Sequence, residues 1–319
     1  MRESKSPATI VPQQPPLQAY LVIVMGVVAV SLAAIFIRLA QGEHIPSLFI
    51  GAARMSLATL IITPITLRRY WGEIRRLRRS DFLWVGISGA FLAIHFASWI
   101  LSLEYTSVLI SVVLVNTNPL WVAALEVLFL RARLGKWVIS GLLIGLIGSL
   151  IVAIPPGGAI SAGQNPVLGS LLSITGAVTV AAYFVIGRKL RATLSLMPYI
   201  WLVYGTAAIL LMAVVIVTGV PITGYSSQGY FWLLAMAAVP QLLGHSSFNF
   251  VLKYFPATYV GIAVQMEPVF SALIALFLFK EIPLAFQIIG SATILCGVVF
   301  ASIGQSRSTA AKPASAPAD

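Results

Sequence analysis

Ten apolar stretches of membrane-spanning length fill this chain, and that pattern restricts it to a fold built inside a bilayer. The stretches run over 18–40, 46–67, 82–102, 107–130, 137–154, 167–187, 196–218, 229–251, 257–279 and 285–303. A helix needs about 20 apolar residues to cross the hydrocarbon core. It is the natural solution there because it satisfies every backbone N–H and C=O internally. Of 319 residues 59% are hydrophobic and 9% charged, against about 25% charged in soluble domains. No hydrophilic stretch is long enough for a catalytic domain. The spacing predicts an all-α polytopic protein of ten transmembrane helices, with a polar, proline-rich disordered tail over 1–17 and another over 304–319. The first stretch is too long for a signal-peptide core and no clear cleavage site follows it, so it is read as a helix.

The net charge of +11 is distributed by topology. Arg68, Arg69, Arg75, Arg76, Arg78 and Arg79 lie between spans two and three. Arg131, Arg133 and Lys136 follow span four, Arg188, Lys189 and Arg191 follow span six, and Lys253 follows span eight. The loops on the opposite side hold Lys280. The positive-inside bias therefore predicts that both termini are cytoplasmic. A nucleic-acid surface would need a basic patch on a folded soluble element, and none is present. The single cysteine, Cys296, lies in the last span, which excludes a disulfide framework and a cysteine metal site.

The second half repeats the first. A shift of 149 residues places Leu103-Glu104-Tyr105 on Leu252-Lys253-Tyr254, Asn118-Pro119 on Glu267-Pro268, Trp99 on Phe248, Gly141 on Gly290 and Gly148 on Gly297. The first repeat is read as 18–154, an outward-facing linker as 155–166, and the second repeat as 167–303. Five spans is an odd number, so the second copy enters the membrane inverted. Inverted repeats are a frequent architecture of secondary carriers, with the solute site near the midplane between them.

Polar residues at depth supply the candidate site. Pro119 and Pro268 fall within spans four and nine, where proline breaks the helical ladder and frees backbone groups. Each follows a polar residue, Asn118 and Glu267. A carboxylate near a span centre costs about 2.5–3.5 kcal/mol on the insertion scale, so Glu267 should face a cavity, be paired or be protonated. Its two readings are binding a solute amine or a proton, and bracing the repeat interface. Gln265 stands two residues earlier. Span three presents Phe91, His95, Ser98, Trp99 and Ser102 on one helical face, suited to a partly apolar solute. His95 is either a cavity imidazole or a neutral ring bonded to a neighbouring carbonyl. Span eight answers with Gln241, His245, Phe248 and Asn249, its polar members read as cavity residues or interhelical bonds. Tyr183 and Tyr204 are the more central aromatics of spans six and seven and are further cavity candidates. Arg54 is expected about two turns into span two, able to snorkel outward, and is read either as a structural ion pair with Glu43 or Glu104 or as a gate group attracting anions at the outer mouth. Glu126 is expected to pair with Arg131 or Arg133, as an ion pair or a gate contact. The glycines of spans five and ten read as close helix packing.

Enzyme signatures are absent: no HExxH, CxxC, P-loop or GxSxG occurs, and three scattered histidines make no metal site. No cofactor is expected, and with no nucleotide-binding module direct ATP coupling is not expected either.

The chain resembles the drug/metabolite transporter superfamily, specifically the ten-helix EamA-type bacterial carriers, over residues 18–303. Ile45-Pro46 with Phe49 and Arg54 resembles the opening of that family's second helix. Leu103 to Ser107 followed by Asn118-Pro119 resembles its third-to-fourth helix turn. Tyr254 through Ala257, Glu267-Pro268, Lys280-Glu281, Gln287, Gly290 and Gly297 follow the second half. The first half departs where the family commonly has Gly-Glu after helix four and this chain has Leu130-Arg131-Ala132-Arg133.

The resemblance implies a multi-pass carrier of the bacterial inner (plasma) membrane, exporting amino acids or similar small metabolites by alternating access. Members resembling the aromatic amino acid exporters would suit the Phe91, His95 and Trp99 face. Uniport or exchange of other metabolites or drugs is the alternative within the class, and a channel or membrane scaffold lies outside it. The expected partners are a small solute and the lipid bilayer. Proton coupling through Glu267 or His95 and downhill uniport both stand.

Overall fold

The computed structural model describes residues 15–106, 111, 114–152, 165–267, 269–270, 273–274 and 285–310. Helix α1 (Leu17–Val30) and α2 (Ala33–Gly42) form the first span, α3 (Ser47–Ile74) the second and α4 (Arg79–Tyr105) the third. They are followed by α5 (Asn118–Leu130), α6 (Lys136–Val152), α7 (Pro166–Arg191) and α8 (Leu196–Val217). The eighth span is α9 (Ser227–Met236), a π-helical segment (Ala237–His245) and α10 (Ser246–Val251); α11 (Ala257–Val264) and α12 (Ala285–Ala310) complete the order. The fold is the all-α, ten-span polytopic fold. Its surface is consistent with lipid contact: Leu60, Leu128, Phe129, Ile209 and Val217 stand exposed on the outside of the bundle.

The last helix continues through Ala310, past the boundary at 303 read from hydropathy. Ser306-Arg307-Ser308-Thr309-Ala310 contains no helix breaker, and the next proline is Pro313. Pro268 and Lys280-Glu281 lie outside the described residues.

Several spans are interrupted, and each interruption has a local cause. The first span turns at Ser31, whose hydroxyl donates to Val27 O at 2.8 Å. The fourth span is interrupted by a turn at Asn116-Thr117 and its helix resumes at Asn118, with Pro119 in the first helical turn where its missing N–H costs nothing. Pro240 sits inside the π-helical segment, which widens the backbone over Ala237–His245. Helix α5 ends on Arg131 at φ 51°, a left-handed position usually given to glycine. The departure from the family's Gly-Glu pattern thus falls on a strained residue.

Helix pairs α4–α7, α3–α8 and α6–α12 make the most extensive interfaces, and α1 packs on the π-helical segment and α10. In α6–α12 the backbones touch. A Cβ on Gly141 would stand 2.5 Å from Gly297 O, and one on Gly148 would stand 2.8 Å from Gly290 O. Each glycine therefore meets the repeat mate of the other. A Gly148→Val substitution is expected to cost about 1–3 kcal/mol or more by overpacking, read as a lower melting temperature of the purified protein. Leu143→Val on the exposed face of α6 is the control and should leave it unchanged.

Candidate functional site

A small cavity of about 60 Å³ lies between the two halves of the bundle. Its wall combines charged and polar groups (Arg54, His95, Asn116, Asn118, His245 and Glu267) with Trp99, Phe184 and Phe248 and the aliphatic Val30, Ala33, Val115, Val180 and Val264. Ligand pockets for drug-sized molecules run to about 300–1,000 Å³, so the cavity is narrow in this conformation.

Broken helices position these groups. The kink in the first span puts Val30 and Ala33 on the wall, and Ser31 Oγ between them donates to Glu267 O at 3.1 Å. The turn before α5 delivers Asn116 and Asn118. Asn118 Nδ2 donates to Val115 O at 3.2 Å, while its Oδ1 is buried without a hydrogen bond. On α4, His95 and Trp99 stack at 6.1 Å between centroids and 8° between planes. His95 Nδ1 lies 2.9 Å from Gly176 O. A carbonyl only accepts, so Nδ1 is the donor and carries a proton. Trp99 Nε1 and His245 Nδ1 are buried and make no hydrogen bond.

Arg54 does not snorkel. It is 1% exposed, and its guanidinium carbon lies 4.3 Å from the centroid of the Phe96 ring, a cation–π contact. Arg54 Nε donates to Gln241 Oε1 at 2.7 Å, and among the described residues neither Nη1 nor Nη2 has a hydrogen-bond partner. The expected pairing with Glu43 or Glu104 is not formed: the Glu43 carboxylate accepts from Ser226 Oγ, and Glu104 is exposed. The reason is the direction of the side chain, which points from α3 toward α4 and the π-helical segment rather than along the helix to the interface.

Glu126 also differs from expectation. Its ion pair, the one formed among the described residues, is with Arg188 Nε at 3.8 Å, while Arg131 and Arg133 are exposed. Its carboxylate accepts from Ala257 N at 2.8 Å, Thr258 N at 3.0 Å and Thr258 Oγ1 at 2.6 Å. Glu126 therefore caps the N-terminus of α11 from across the bundle, satisfying amides that the helix cannot satisfy itself. Arg188 is held in turn by Leu252 O at 3.1 Å and by Phe255 O.

The remaining candidates lie off the cavity wall. Tyr183 Oη donates to Asn249 Oδ1 at 2.7 Å, and Asn249 Nδ2 donates to Tyr204 Oη at 3.1 Å, which lies 3.1 Å from Ser246 Oγ. These form a buried polar brace between spans six, seven and eight. Gln241 orients Arg54. Gln265 is buried against α6, where a Cβ on Gly145 would stand 2.4 Å from its Oε1. Phe91 is half-buried and does not line the cavity. Sequence reading passed over Asn116 and Phe184 as cavity residues, whereas Phe248, the repeat mate of Trp99 on the span-eight stripe, lies on the wall. A signal was present for Asn116, which opens the polar run Asn116-Thr117-Asn118.

Comparisons with known proteins agree with this architecture. The EamA-like transporter family matches residues 17–154 and again residues 167–303. An uncharacterized transporter of Archaeoglobus fulgidus is 24% identical over 279 residues, covering 88% of this chain and 94% of its own. The uncharacterized transporter YyaM of Bacillus subtilis is 26% identical over 261 residues, 79% of this chain and 83% of that one. A solved crystal structure superposes with TM-score 0.78 over 92% of this chain and 99% of its own, at 18% identity, and shows the fold alone.

Proposed function

We propose that this chain, which belongs to the EamA-like transporter family, exports amino acids or similar small metabolites across the bacterial inner membrane by alternating access around this cavity. It is a non-enzymatic, multi-pass secondary transporter of small solutes. The observation that carries the amino acid reading is the cavity's wall, which joins a cation, a carboxylate and two imidazoles to three aromatic rings. Amino acids carry both charges and a variable apolar part, and the wall has a partner for each.

Two further features support the mechanism. The exchanged contacts of Gly141 with Gly297 and Gly148 with Gly290 are what a two-fold axis between inverted repeats would produce. The basic loops favour cytoplasmic termini, which puts Glu126, Arg188 and the start of α11 at the inner end of the cavity.

The test is counterflow in proteoliposomes loaded with single unlabelled amino acids while labelled solute is followed. Saturable counterflow is expected for a subset that includes aromatic amino acids. Flux that neither saturates nor counter-exchanges would indicate a channel, and folded protein with no flux across the panel would remove the amino acid reading.

A further inference from the structure

We infer that Arg54 is the receptor for the solute's carboxylate and that the cavity is built for a zwitterion, with the ammonium group directed to Glu267 and Asn118. The inference rests on the amino acid reading above and specifies how the cavity would recognise that class.

A guanidinium has five N–H donors in a planar fork. On Arg54 the Nε–H is committed to Gln241 Oε1 at 2.7 Å, and one face is taken by Phe96 at 4.3 Å. The plane and rotation of the fork are thereby fixed. The edge left over carries Nη1 and Nη2, both buried and both without a hydrogen bond. Two parallel donors on one edge match the two oxygens of a carboxylate, the geometry of the strong bidentate pair. Gln241 acts as a positioning residue, and the π-helical turn with Pro240 brings it to the span-two side.

The opposite pole is separate. Arg54 and Glu267 line one cavity, yet they form no ion pair within 4.0 Å. Two opposite charges bracing a fold would be expected to touch, since a desolvated charge with no partner is costly. Held apart, they balance the cavity as a whole and leave each pole open to a ligand group of opposite sign. Asn118, the repeat mate of Glu267, presents an unpartnered Oδ1 acceptor, which an ammonium group can satisfy. A phosphate dianion would find a single permanent cation, and a simple amine would leave the Arg54 fork unmatched. The zwitterion satisfies both poles.

The experiment is competition in the counterflow assay, using each transported amino acid, its amide (ammonium kept, carboxylate removed) and its deamino acid (carboxylate kept, ammonium removed). The wild type is expected to take the amino acid about 10- to 100-fold better than the amide, the range for losing charge-assisted hydrogen bonds. In Arg54→Gln, shown folded by its elution profile and melting temperature, that preference should collapse to near unity. Arg54→Lys keeps the charge without the fork and should retain the sign of the preference at lower affinity. An amide accepted as well as the amino acid by the wild type overturns the inference while leaving the carrier reading intact. So does an acid-to-amide ratio that survives Arg54→Gln. The wild-type comparison decides this even if both variants fail to fold. No counterflow with any amino acid, by protein shown folded, would overturn this inference and the amino acid reading together.

Discussion

Glu267→Gln is expected to reduce counterflow of amino acids by roughly 30-fold to several-thousand-fold, the equivalent of about 2–5 kcal/mol for removing one member of a buried charge pair. The substitution keeps shape and volume, removes the charge and exchanges one acceptor oxygen for an NH2 donor. Ser31 binds the Glu267 main-chain carbonyl rather than its carboxylate, so the variant retains the contact to the kinked first span and should fold. It should also change preference in a specific direction. With Gln at 267, Arg54 is the remaining permanent charge on the described wall, and a solute bearing only a carboxylate then neutralises the cavity better than a zwitterion. Deamino acids should therefore gain on amino acids in this variant. A Glu267→Gln protein with unaltered flux and preference would return Glu267 to a bracing role. The same preparation separates proton coupling from uniport. Equal wild-type rates with and without an imposed pH gradient would remove the proton role.

Glu126→Gln is expected to open the cavity from the cytoplasmic side. The Glu126 carboxylate ties helix α5 of the first repeat to Ala257, Thr258 and Arg188 of the second. An amide cannot reproduce this pattern. It offers one acceptor oxygen where two are used and places an N–H against backbone N–H groups. Removing a buried partner of this kind costs about 3–5 kcal/mol, and the loss falls on whichever conformation makes the contact. If the two halves rock apart at the inner face, the closed form carries that cost and the inner-open form gains. The measurement is labelling of a cysteine introduced at cavity-lining Val115 by a membrane-impermeant maleimide applied from the cytoplasmic side, in a Cys296→Ser background because Cys296 is exposed. Labelling should accelerate at least tenfold, within the shift such an energy allows. A lower melting temperature with unchanged labelling would make Glu126 a fold-stabilising cap and nothing more.

These two carboxylates differ in how far the sequence reveals their surroundings. Glu267 could be found by reading, because an acid in an apolar span beside a proline is costly wherever it points. Its register with Asn118 added a second signal that needs no coordinates. Glu126 was visible as a charge near a span end, but its partners were assigned to the adjacent loop. The actual donors begin at Arg188 and Ala257, far along the chain, and sequence proximity carries no information about such pairs. Tyr183, Asn249 and Tyr204 followed the same pattern: their polarity at depth was legible, their mutual bonding was not. For Phe91, a shared helical face with His95 and Trp99 was read as shared exposure to the cavity, but one face of α4 is long enough to meet different neighbours at different heights.

The sequence by itself determined what the bilayer demands locally: the spans, the polar breaks within them, the duplication and the charge asymmetry of the loops. Each follows from the cost of exposing a backbone or a charge to hydrocarbon, and that cost is paid residue by residue. Only the tertiary structure decided which polar groups meet. Apolar side chains that face lipid and apolar side chains that face another helix are chosen by the same rule, so periodicity does not say which way a helix is turned. Arg54 shows the consequence. Its position two turns into span two was readable, but its inward direction depends on Phe96 and Gln241, brought to it by two other spans.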